Sequence, residues 1–129
     1  MPTQQQIAIE RKTLMELMDS KLTYNGRTYP VAKRMVDENL VIGTWNIEKL
    51  GRRHDKRALQ YIADIIERFD VVALQEVVTY LENLETIMDL LPGDYDILLS
   101  DVTGNSERFA FIYDRRTVST TGFVTDLGF

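Results

Sequence analysis

The run LVIGTWNIEKLGRRHDKRALQYIADIIERFDVVALQEV, residues 40–77, decides the fold. It opens with an apolar strand, Val41-Ile42-Gly43-Thr44-Trp45, that delivers Asn46 at its end. A basic loop follows, then a helical stretch, then a second apolar strand, Val71-Val72-Ala73-Leu74, that delivers Gln75 and Glu76. Two strands joined by a helix lie parallel through a right-handed crossover, so both end at one edge of the sheet. Open α/β sheets bind ligands outside the carboxyl ends of their strands. An amide and a carboxylate meeting there are suited to a hard cation and a phosphate. Polar capping of two apolar runs would account for the same residues.

Working outward, Lys49-Leu50-Gly51-Arg52-Arg53-His54-Asp55-Lys56-Arg57 places a basic cluster on the Asn46 side of the sheet. Such a cluster can attract a phosphodiester, and a solvated loop explains it equally. His54, the single histidine, reads as an exposed loop residue. Asp55 is suited to cap a helix whose Leu59, Ile62, Ala63, Ile66 and Phe69 share one face. Thr79-Tyr80-Leu81-Glu82 reads as a capping box for a helix with Leu81, Leu84, Ile87, Met88 and Leu91 inward, ended by Pro92-Gly93. Strands are predicted at Tyr95 to Leu99, at Arg108 to Tyr113 and at Thr117 to Phe123, with a tight turn at Asp114-Arg115-Arg116. The Arg108 strand is apolar on both faces, which predicts burial between two layers.

Upstream, Thr3 and Gln6 fit a capping box, and Ile7, Leu14, Leu17 and Met18 recur at helical spacing, predicting a helix from Gln4 to Ser20. Leu22 to Tyr29 reads as a hairpin around Asn25-Gly26, stopped by Pro30. Residues 1–38 are therefore expected to form a helix-plus-hairpin extension, with residues 39–129 as the main domain.

Composition bounds the function classes. At 129 residues the chain is long enough to bury roughly two-thirds of its unfolded surface. With no cysteine, disulfides and thiolate metal sites are excluded. Met1 to Lys12 carries no apolar run and no later stretch is long enough to span a bilayer, so the expected location is cytoplasmic. The net charge of −5 argues against broad, sequence-independent nucleic-acid affinity, although an acidic enzyme can still have a basic cleft.

Three runs, TWNIEKLG, ALQEV and SERFAFIYD, in this order and spacing over residues 40 to 120, resemble motifs of the endonuclease/exonuclease/phosphatase (DNase I-like) superfamily. The resemblance implies an α/β (α+β) fold: the N-terminal half of a two-sheet sandwich, seen as one mixed sheet with helices on one face. It implies a metal-dependent phosphodiester hydrolase, most simply a nuclease, with phosphoinositide or sphingomyelin phosphodiesterases sharing the same first-half motifs. By that likeness Glu76 and Asn46 are metal-site and catalytic residues, with Mg2+ (or Mn2+ or Ca2+) as cofactor. Glu107 is the glutamate that orients a catalytic histidine, and Arg52, Arg53 and Arg108 are candidate contacts to a nucleic acid or other phosphodiester.

The sequence departs from the family pattern in two ways. The tyrosine that DNase I-like enzymes carry three residues before the arginine is Asn105 here. The Gly-Asp-x-Asn and Ser-Asp-His motifs are not found in these residues. The expectation is thus a fragment supplying half an active site, inactive alone. The competing expectation is a non-catalytic binding or assembly module that self-associates through an uncovered sheet face.

Overall fold

The computed structural model describes residues 3–29, 33–35, 37–50, 56–78, 81–100 and 107–121. It divides into two compact units, Met1–Lys33 and Arg34–Phe129.

In the first unit, helix α1 (Gln4–Asp19) starts from the expected capping box. Gln6 N donates to Thr3 Oγ1 at 3.1 Å, and Thr3 N donates to Gln6 Oε1 at 2.8 Å. No residue of α1 is buried, and Leu17 of its apolar set is 65 % exposed. Strands β1 (Leu22–Tyr24) and β2 (Arg27–Tyr29) pair antiparallel around Asn25 and Gly26. Both turn residues have positive φ, 50° and 74°. That is the geometry whose twist matches a two-residue hairpin, and it is why Asn-Gly stands there.

The second unit is built on β3 (Ile42–Leu50), α2 (Lys56–Ile66), β4 (Val71–Val78), α3 (Glu82–Leu90), β5 (Tyr95–Leu99) and β6 (Glu107–Asp114). The sheet order is β3-β4-β6-β5. β3 and β4 run parallel with α2 between them in sequence, while β4–β6 and β5–β6 are antiparallel. The sheet is therefore mixed, as the strand-helix-strand pattern and the resemblance imply.

Helices α2 and α3 supply Leu59, Ile62, Ala63, Ile66, Leu84 and Ile87 to one core with Val72, Leu74, Val77, Ala110 and Ile112. Phe69, just past α2, lies over Gly43, where an added Cβ would sit 2.7 Å from the ring. Glycine in β3 is thus a packing requirement: the ring occupies the space a side chain would take.

Pleat alternation sends Ile42, Thr44, Val71, Ala73, Leu98, Phe109 and Phe111 to the other face. Ile42 is 67 % exposed, and Phe109 and Phe111 are half-buried. The expectation that the β6 strand is buried between two layers is corrected accordingly: the helix side is closed, and the opposite side is only partly covered. Tyr113, at the foot of that face, is buried.

Two further expectations are corrected. Of the strand expected at Thr117 to Phe123, Thr117 lies in the 115–117 turn and residues 118–121 form no strand, while residues 122 and 123 lie outside the described residues. Helix α3 is capped by Leu81 without a side-chain hydrogen bond, while Thr79 lies outside the described residues.

A buried ionic cluster closes the foot of the sheet, where β4 begins. Arg34 Nη2 donates to Asp70 Oδ1 at 2.9 Å and to Asp114 Oδ2 at 2.7 Å. Its Nη1 donates to the Tyr95 hydroxyl at 2.8 Å. Asp70 also accepts from Val41 N at 2.7 Å and from Thr117 Oγ1 at 2.7 Å. Asp114 takes three hydrogen bonds from Arg116.

The side-chain bonds from Arg116 dominate at Asp114; they outweigh burial and, with Arg34, hold its carboxyl well below the usual carboxylate range. Burial alone would raise the Asp70 carboxyl. Hydrogen bonds from Val41, Thr117 and Arg34 overcome it and lower it. Burial pushes the Tyr95 phenol up to about 12. Every polar group taken from water here has a partner, the condition for burying charge without a large penalty.

Candidate functional site

At the opposite end of β3 and β4, the parallel register pairs Asn46 with Gln75. The expected meeting takes place: Asn46 Nδ2 donates to Glu76 Oε1 at 3.0 Å. Asn46 is exposed and Glu76 half-buried, so the pair lies where solvent and ligand can reach it.

The pleat alone would not bring Glu76 there. Along β4 the buried positions run Val72, Leu74, then Val77, a step of three where alternation gives two. The β4–β6 register breaks between Leu74 and Val77, and the β3–β4 register breaks between Asn46 and Leu50. Glu76 absorbs the break with φ of 59°. One extra residue in a strand is a β-bulge, which re-aims a side chain while keeping the next core residue in place. Here it returns Val77 to the core, fully buried, and leaves Glu76 facing Asn46.

Arg108 stands on β6 opposite Val77, and Glu107 opposite Val78. Both backbone positions therefore neighbour the Glu76 bulge. Arg108 Nε is buried and has no acceptor among the described residues. Arg52, Arg53 and His54 lie outside the described residues, as does the side chain of Glu107.

The chemistry available is that of oxygen donors. A carboxylate and an amide carbonyl are the ligand types that hard cations take, with water and substrate phosphate completing the shell. Among the described residues no group of three His, Cys, Asp or Glu side chains gathers to hold a metal. The Asn46–Glu76 pair is thus at most part of a coordination shell.

A mixed sheet backed by helices, with Asn46 and Glu76 at the carboxyl ends of its two parallel strands, is the α/β arrangement in which ligands generally bind at that edge. The sequence matches the Endonuclease/Exonuclease/phosphatase family over residues 43–124, and the chain belongs to that family. The family is one of phosphodiester and phosphate hydrolases. No curated protein matches the chain. Among the described residues, no helix is long and apolar enough to cross a membrane.

Proposed function

We propose that this chain carries the cation-holding edge of a metal-dependent phosphodiesterase, with nucleic acid as its substrate. The observation that supports this reading is the Asn46–Glu76 contact at the carboxyl edge of β3 and β4, in a member of a hydrolase family. Glu76 and the Asn46 carbonyl would hold Mg2+ at this edge. When bound, the ion supplies Lewis-acid polarisation of the phosphate and charge stabilisation of the leaving oxygen.

The remaining roles belong to the protein. Asn46 fixes the orientation of Glu76. Arg108 and the basic residues Arg52 and Arg53 attract the phosphodiester. By the family likeness Glu107 would orient a general-base histidine; His54, the single histidine of these residues, reads as an exposed loop residue and is not given that role.

The test is cleavage of single- and double-stranded DNA and of RNA, with magnesium and with chelator, by a version complete with the catalytic histidine and by its Glu76→Gln form. The glutamine keeps an oxygen for Asn46 and removes the charge. Magnesium-dependent cleavage should fall at least about a hundredfold, as for loss of a transition-state charge stabiliser. Undiminished cleavage by the variant would refute the assignment. Turnover confined to phosphoinositides or sphingomyelin would move the substrate class while leaving the site.

A second reading, assembly of two copies through the open sheet face, is favoured by the exposure of Ile42 on the face that also carries half-buried Phe109 and Phe111. Apolar surface left open on a sheet face promotes association. Light scattering on the wild type and on Ile42→Lys tests it: a dimer that dissociates in the variant supports the reading, and a monomeric wild type refutes it.

A further inference from the structure

Glu76 is the one residue with positive φ inside a strand among the described residues. Asn25 and Gly26, by contrast, take positive φ in a turn that requires it. A left-handed backbone is unfavourable for a residue with a Cβ and persists only where its surroundings over-determine it.

The pairing with β6 and the burial of the flanking residues do so here. β4 advances from Leu74 to Val77 while its antiparallel neighbour advances only from Ala110 to Arg108. On the parallel side the surplus lies on β3, which runs from Asn46 to Leu50 while β4 runs from Gln75 to Val77, so the extra residue of β4 is set by its pairing with β6. Leu74 and Val77 are both fully buried, so neither can shift to relax the step between them. The side chain of the strained residue is then held by Asn46 Nδ2 at 3.0 Å.

We infer that the strain at Glu76 is a positioning device: the bulge and Asn46 together preset the carboxylate for a cation before the cation arrives. This rests on the metal-dependent reading above. Its content is that Asn46, besides offering its carbonyl to the cation, orients Glu76 through Nδ2, and that stability is given up at Glu76 for orientation. Sites that bind without reorganising gain affinity because their ordering cost is met in the folding of the protein. A glutamate on a relaxed strand would follow the pleat toward the helix side, away from Asn46.

Thermal melting of the wild type, Glu76→Ala, Glu76→Gly, Glu76→Gln and Asn46→Ala, each with and without millimolar magnesium chloride, tests this. Alanine keeps the Cβ and therefore the strain, while glycine removes it; neither has a carboxylate. The glycine variant should melt about 5 °C above the alanine variant. Magnesium should raise the wild-type midpoint, leave the three Glu76 variants unmoved, and raise Asn46→Ala by less than the wild type.

A glycine variant that melts no higher than the alanine variant overturns the strain inference and leaves the metal reading standing. An Asn46→Ala shift equal to that of the wild type overturns the role given to Asn46. A wild-type midpoint that magnesium does not move overturns the metal reading and the inference with it.

Discussion

Replacing Arg34 with methionine should be among the most damaging single changes in the second unit. The side chain of Arg34 is only 17 % exposed, and those of Asp70 and Asp114 are 3 % and 0 % exposed. Methionine keeps much of the stem's volume, so the loss falls on the charge and its hydrogen bonds. Breaking a buried ion pair from one side costs about 3–5 kcal/mol, because the abandoned carboxylate stays buried. The lower end applies here: Asp114 keeps Arg116, and Asp70 keeps Val41 N–H and Thr117. In a unit of this size about 3 kcal/mol corresponds to a fall of at least about 10 °C in melting midpoint.

The pH dependence gives a second signature. Both carboxyls titrate below their unfolded values, so their contribution to wild-type stability is complete above about pH 4. It is lost as pH falls through the depressed folded values. The variant lacks the Arg34 share of that contribution, so its deficit should shrink as the pH is lowered toward about 3. Melting curves followed by circular dichroism across pH 3 to 8 would measure both effects. A variant that melts within about 3 °C of the wild type at neutral pH would refute the claim that Arg34 neutralises two buried carboxylates.

The same cluster predicts an alkaline limit. Tyr95 has its phenol raised to about 12, so its stabilising effect is present below its unfolded value near 10 and is lost as pH rises between the two. Tyr95→Phe should lose stability at neutral pH, where the Arg34 Nη1 and Phe69 carbonyl contacts go, and show a flatter melting profile above pH 10. An unchanged alkaline slope would exclude Tyr95 as its source. Gly43→Ala should cost about 1–3 kcal/mol through the 2.7 Å approach to Phe69. Adding Phe69→Leu should recover part of that loss, and a fully stable Gly43→Ala would show that the ring moves freely.

Wherever one local rule decided the outcome, the sequence was legible. Thr3 and Gln6 form their reciprocal cap, Asn25-Gly26 turns the hairpin, and β5 has the bounds expected of it. Asn46 and Glu76 meet because the strand-helix-strand pattern fixes parallel strands with a common edge. How they meet was not legible. Period-two reasoning carries Glu76 to the helix side, and only the spacing of Val72, Leu74 and Val77 hinted at an inserted residue. Arg34 escaped for a different reason: its two acidic partners are 36 and 80 residues away, and no motif links them. Thr117 read as a strand residue from its neighbours' composition, yet its hydroxyl is engaged by Asp70, and the chain turns instead of pairing.

The foot of the sheet also determines where mechanical load would enter this molecule. Tension transmitted along the chain from Lys33 reaches the second unit at Arg34. It meets two ion pairs there, then the Val41 carbonyl, which accepts from Asp70 N at 2.8 Å and from Val71 N at 3.3 Å. These contacts would be pulled apart before the β3–β4 ladder carried any force. The ladder's far end, with Glu76 and Asn46, is the last part of β3 to feel it. Tension on the chain before Arg34 would therefore be taken up at the foot, leaving the opposite edge mechanically quiet.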